Sequence, residues 1–372
     1  MAGPARRLPE PAVRLTAMHG ARSADAARLP LIDALKAIAA QLIVLHHLAL
    51  YGPMADAARE IWPAAIDWLS QHARIAVQVF LVVGGFLAAR SLAPEGRLAV
   101  PRPLAAAWRR YLKLAVPYVA ALVLAIGGAA LARQGMAHAS IPDAPTLDQF
   151  LAHVLLLHDI LGYDALSAGV WYVAIDFQLY LLLLALLWIA RAVGGKTGLG
   201  PLMVACVGAA SLFHFNRDAA GDIWATYFFG AYALGALAHW IPGRRHSRRW
   251  AWAAGTISVA ALLVDFRVRI ATTLLTALVL GLGRHTGLLA TWPQSSVLSF
   301  LGRISYSVFL VHFPVCLLAN ALFNQVAPGN PLLNFIGMLG TWVVCVAIGA
   351  AFHRCVEQPA FFRGGAPNRA TT

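Results

Sequence analysis

A chain of 372 residues, 60% of them hydrophobic and only 12% charged, with a mean hydropathy of +0.68, is not a soluble globular protein, in which about a quarter of residues carry charge. The composition predicts an all-α, polytopic transmembrane helical bundle, in one piece because no long polar linker parts the apolar segments. A net charge of +13 raises the question of nucleic-acid binding, which the positions of the charges answer below.

Residues 1–28 hold five arginines among Pro and Ala without the apolar core of a signal peptide, and are expected to form a mobile basic cytoplasmic tail. About ten spans follow, near 31–50, 73–92, 108–131, 169–190, 199–215, 222–241, 250–265, 268–284, 297–322 and 332–355. The first reads LIDALKAIAAQLIVLHHLAL. Ionisable groups are expensive inside a bilayer, so their default reading is functional. At about 100° per residue, Asp33, Lys36 and His47 share one stripe with Ala40 between, and the last two are roughly 16 Å apart along the axis. His46 points about a quarter-turn away.

The second span carries Gln78 and the pair Gly84-Gly85, which suit either close helix packing or the passage of a ligand chain. The third opens with WRRYLK, Trp108 to Lys113, a basic inner anchor. Together with Arg90, Arg303 and Lys36, its Arg109 and Arg110 suit the phosphates of an anionic cofactor. The stretch 147–161 is apolar but short and broken by His153, His158 and Asp159, and reads as re-entrant or interfacial.

The fourth span reads WYVAIDFQLY, with Tyr172, Asp176 and Tyr180 on one face and Trp171 and Gln178 on another. Asp176 falls at a depth similar to that of His47. A carboxylate that orients an imidazole makes a general-base pair; the alternative is two polar groups that lock helices together. The seventh and eighth spans are separated by a very tight turn at Asp265, Arg267 and Arg269. In the ninth, LGRISYSVFLVHFP places Arg303 near the inner face and His312 deeper, beside the kinking Pro314. Arg303 and Glu357 suggest an ion pair at the inner face.

With the N-terminus inside, most cations fall in inner loops and most acids in outer ones. The basic balance is therefore mostly topology and argues against nucleic acid. Cys206, Cys316, Cys345 and Cys355 lie in or beside apolar segments without C-x-x-C spacing, and read as small hydrophobes. No Gly-rich phosphate loop, zinc spacing or G-x-S-x-G elbow occurs, and no metal is expected.

At these residues the chain resembles membrane acyltransferase family three, over about residues 29–362. Asp33, Lys36 and His47 occupy its Asp-x-x-Arg…His stretch, with Lys for Arg. VFLVVGGF resembles its Ser-Gly-Phe stretch with Gly84 for Ser, and WYVAIDFQLY its W-x-L-x-x-E-x-Q-x-Y stretch with Asp176 for Glu. Leu301 to Pro314 matches its Gly-x-x-Ser-Tyr…Leu-x-His-x-Pro stretch, and Glu357-Gln358-Pro359 its closing Glu-x-Pro.

The resemblance implies transfer of an acyl group, commonly acetyl, from cytoplasmic acyl-CoA to a hydroxyl of an extracytoplasmic glycan or glycolipid. On that reading His47 and Asp176 are catalytic, and Lys36, Arg109, Arg110 and Arg303 hold the acyl-CoA. Trp171, Tyr172, Gln178, Tyr180 and His312 face the acceptor. The protein is expected in a bacterial cytoplasmic membrane among lipids, with both termini inside and 363–372 a short cytoplasmic tail. The alternative is a proton-coupled transporter or flippase of a lipid-linked glycan, with His47 and Asp176 as its relay.

Overall fold

The computed structural model describes residues 28–194, 198–243 and 247–358. Apart from Arg28, the two predicted tails lie outside that range, as do Lys196, Arg244, Arg245 and Pro359. Among the described residues the chain is helical with no strand. In chain order the helices are α1 (Pro30–Leu50), α2 (Pro53–Ala58), α3 (Pro63–His72), α4 (Val77–Leu92) and α5 (Pro103–Gly135). Then come α6 (Leu147–Val154), α7 (Val170–Ala192), α8 (Leu199–Phe213), α9 (Ala225–Trp240) and α10 (Ser247–Val264). The last are α11 (Val268–Thr286), α12 (Leu288–Thr291), α13 (Ser296–Val326) and α14 (Pro331–Phe352), closed by a π-turn at His353–Glu357.

Among the described residues seven helical segments are long and apolar enough to cross a membrane: Pro30–Leu50, Pro63–Leu92, Pro103–Gly135, Val170–Ala192, Leu199–Arg217, Ser296–Val326 and Pro331–Glu357. The other three predicted spans also form helices, α9 to α11. The 16 residues of α9 reach only about 24 Å at the α-helical rise, short of a ~30 Å hydrocarbon core. Its side chains are buried on nearly all sides, as expected of a helix enclosed by others. The other two carry cations within their helical range, Arg248 and Arg249 in α10 and Arg269 and Arg284 in α11.

Two glycine crossings set the interior. Helices α4 and α9 meet where Gly85 lies against the Tyr232 backbone and Gly235 against that of Val82; a methyl group on either glycine would overlap the facing carbonyl. Gly84 lies against the Tyr232 ring. Both glycines of the pair are therefore packing positions, filled by α9, and leave no room there for a ligand chain. Helices α1 and α13 meet at Gly302, where a methyl group would overlap the backbone of Asp33. Backbone cannot yield as a side-chain tip does, so Gly302→Ala is expected to force α13 off α1 and cost about 1–3 kcal/mol or more. Loss of the monodisperse species in detergent chromatography, with Ser305→Ala retaining it, checks this.

The stretch 147–161 forms a short helix and turns, not a span, as predicted. Thr146 and Gln149 make a reciprocal capping box at the start of α6, and Tyr111 of α5 donates to the Val154 carbonyl at 2.9 Å. His153 and His158 stack with centroids 4.1 Å apart, both enclosed. His153 Nδ1 lies 2.8 Å from the Gln149 carbonyl, while the His158 ring makes no hydrogen bond and has the Asp159 carboxylate 3.4 Å from its Nε2. Burial pulls each imidazole down to about 4 from its ordinary 6.5. The unfolded segment therefore takes up protons that the folded one refuses. Its stability is full above about pH 6.5 and falls as pH drops toward 4. Proteolytic nicking of residues 137–168 should accelerate between pH 7 and 4.5, and His158→Phe should flatten that dependence.

Candidate active site

His47 stands in the last turn of α1, 7% exposed. The Gly302 crossing holds α13 against α1 and brings His312 beside it. His47 Nδ1 lies 2.7 Å from His312 Nε2, with the rings nearly parallel at 4.9 Å. His312 Nδ1 lies 2.6 Å from the Phe309 carbonyl. That carbonyl only accepts, so Nδ1 of His312 carries the proton. Neutral His312 then presents Nε2 as an acceptor, and His47 donates to it from Nδ1. His47 Nε2 is left with a free lone pair and no hydrogen-bond partner among the described residues, yet it is not sealed from solvent. One backbone carbonyl thus fixes two tautomers and prepares a base. Beside it stands Gly169, the left-handed residue (φ +79°) that starts α7; a methyl group there would sit 3.8 Å from His47 Cε1. His46 turns away, as its position on the helix predicts, with Nδ1 2.9 Å from the Leu69 carbonyl of α3.

Asp176 is not the carboxylate of this pair. Its Oδ2 accepts from Arg110 at 2.5 Å, and the Arg110 guanidinium lies over Tyr180 at 5.4 Å. Matched depth gave the expectation of a pair with His47; rotation about the α7 axis turns the carboxylate to α5 instead. Arg110 correspondingly leaves the basic group expected at the start of α5 and points into the bundle, while Arg109 stays exposed. The expected Arg303–Glu357 pair is also absent: Glu357 accepts from Ser307 at 2.6 Å and lies 2.8 Å from His353 Nδ1. The π-turn folds Glu357 back onto its own helix end, and Arg303 is exposed. Lys36 sits in the field of Asp33, Glu357 and Lys113.

The expected acceptor residues scatter. Trp171 lines a cavity with Trp68, Arg74 and Asp222. Tyr172 packs between Phe80 and Phe309. Gln178 spends both ends on backbone, donating to the Ile223 carbonyl and accepting from Ala225 N–H, and so pins the start of α9. His312 belongs with His47. Sequence reasoning missed the His47–His312 contact and Gly169; the Leu-x-His-x-Pro stretch was the available signal for the first.

The sequence model of acyltransferase family three, described as an acyltransferase domain, matches residues 29–350. The chain belongs to this family. No curated protein and no solved structure matches it. The match spans α1 to nearly the end of α14, so the His47–His312 pair, the Arg110–Asp176 pair and Lys36 all lie within the acyltransferase domain. The protein is thus an integral membrane acyltransferase of the all-α polytopic class. Among the described residues no cluster of His, Cys, Asp or Glu is arranged to hold a metal ion.

Proposed function

We propose that this family-three acyltransferase moves an acyl group, acetyl in the first instance, from cytoplasmic acyl-CoA to a hydroxyl of an extracytoplasmic glycan or glycolipid in a bacterial cytoplasmic membrane. The carrying observation is the chain from the Phe309 carbonyl through His312 to His47, which leaves one unpartnered basic nitrogen inside an acyltransferase bundle. His47 Nε2 takes the proton of the acceptor hydroxyl as its oxygen attacks the acyl carbonyl. His312 Nε2 continues to accept from His47 Nδ1, which stabilises the imidazolium as it forms. Acyl-CoA, the co-substrate, supplies the activated thioester; as its C–S bond breaks, the CoA sulfur takes the proton from His47 Nε2 and leaves as the thiol, which restores the neutral base.

The end of α1 remote from His47 fits a polyanion. Lys36 has Lys113 as a neighbouring cation, Arg303 follows the Gly302 crossing at Asp33, and Arg109 is exposed one turn before Lys113. Lys36→Ala is expected to weaken acyl-CoA affinity about tenfold, and Lys36→Arg to restore it. Calorimetry in detergent at two salt concentrations reads this. Unchanged affinity in Lys36→Ala with weak salt dependence places the donor elsewhere. The function as a whole is tested by incubating the purified protein with radiolabelled acetyl-CoA and a cell-envelope glycan extract. Label that stays with glycan and is released by mild alkali is expected; none in any glycan sinks the reading.

A further inference from the structure

Beside two mainly apolar cavities lined by α9 and α10, the described residues enclose a larger cavity of a different kind. Its volume is about 700 Å³, within the roughly 300–1,000 Å³ usual for small-molecule sites. It lies at the His47 end of α1, because α3, which receives His46 at the Leu69 carbonyl, supplies Trp68 to its wall. Trp171 forms another wall, two residues after the Gly169 that faces His47. Arg74, also in the lining, is close enough for its charge to act on both His47 and Tyr51. The cavity thus lies at the same end of α1 as the proposed base, although His47 itself is not part of its wall.

Its chemistry is not that of a lipid groove. Trp68 is about half exposed, with His72 stacked behind it at 6.2 Å, and Trp171 is backed by Phe228 at 5.6 Å. Braced indole faces suit the C–H faces of sugar rings. Between them stand two cations, Arg74 and Arg269, and two acids, Asp159 and Asp222, so the formal charge of the lining cancels. Arg269 is spent on Tyr227 Oη and the Asn216 carbonyl. Arg74 and Asp222 make no ion pair with any described residue and keep their hydrogen-bonding capacity for a ligand. A polyanion would meet the two acids, and an apolar chain would strand the charges of Arg74 and Asp222. A neutral ring rich in hydroxyls meets neither cost.

We propose that this cavity is the acceptor site and takes an uncharged, polyhydroxylated sugar, stacked by Trp68 and Trp171 and hydrogen-bonded by Arg74 and Asp222. The inference rests on the acyl transfer proposed above and narrows its substrate.

The test uses the full-length protein in detergent, radiolabelled acetyl-CoA and envelope glycans split by anion exchange into neutral and acidic fractions. Label is expected in the neutral fraction. Trp68→Ala and Arg74→Gln should each raise the half-saturating concentration of that fraction about tenfold, the scale of one lost contact. Both variants should bind acetyl-CoA as the parent does, which also shows that they fold. Label in the acidic fraction alone overturns this inference and leaves acyl transfer standing, and so does parental half-saturation in both variants. Absence of labelled glycan in either fraction overturns acyl transfer and this inference with it.

Discussion

His47→Ala should lower acyl transfer by about 10²–10⁴-fold, the usual contribution of a positioned general base, in a protein that still inserts and runs as one species. The side chain is buried, but its one hydrogen bond goes to His312, which keeps its own anchor on the Phe309 carbonyl. His312→Ala should also lose most activity by a different route. Without an acceptor at Nδ1, His47 is free to hold its proton on either nitrogen and to rotate. His312→Gln keeps an acceptor oxygen near that place and should recover part of the rate with little change in acyl-CoA affinity. His46→Ala should be milder than either, since its nitrogen serves the Leu69 carbonyl. Turnover and acyl-CoA affinity measured side by side check the series. Equal losses in His46→Ala and His47→Ala, or full activity in His47→Ala, would remove the base from His47.

Arg110→Ala and Asp176→Ala should each cost about 3–5 kcal/mol, the usual penalty when one partner of a buried pair is removed. That is a large share of the stability of an ordinary domain. Asp176 is the more enclosed partner, so removing Arg110 strands the costlier charge. Asp176→Asn keeps the shape and leaves Arg110 uncompensated, and should fare little better. The double variant Arg110→Met, Asp176→Leu removes both charges and should recover most of the folded protein, because well-packed apolar residues replace buried pairs at little or no cost. The folded fraction surviving mild heating in detergent measures each. If the double variant is no better than the singles, the pair does more than balance charge. Its activity decides the role of Asp176: a folded but inactive double variant keeps the carboxylate in the chemistry, and an active one makes the pair a brace between α5 and α7.

The helical bundle and its family were legible in residue order because their causes are local. Apolar length predicts where a helix crosses, and the stripe of Asp33, Lys36 and His47 follows from 3.6 residues per turn. His46 turned away as that arithmetic required. The 147–161 stretch, apolar but short and broken by His153, His158 and Asp159, was legible as a segment that does not span. Only burial on almost every side, a property of its neighbours, accommodates a 16-residue α9 inside the bundle. Partners across helices were not legible. Depth along a helix can be counted, but rotation about its axis relative to another helix cannot. Asp176 and His47 were matched in the first coordinate and missed in the second. The second coordinate was set by three glycines, at 85, 235 and 302, whose missing side chains let backbones touch and fix how α4 meets α9 and how α13 meets α1. The amino-acid order thus determined the helices and which residues share a face. Tertiary packing alone decided that His47 meets His312 and that Asp176 meets Arg110, because contact between helices depends on the combined shape of all the surfaces that must close together.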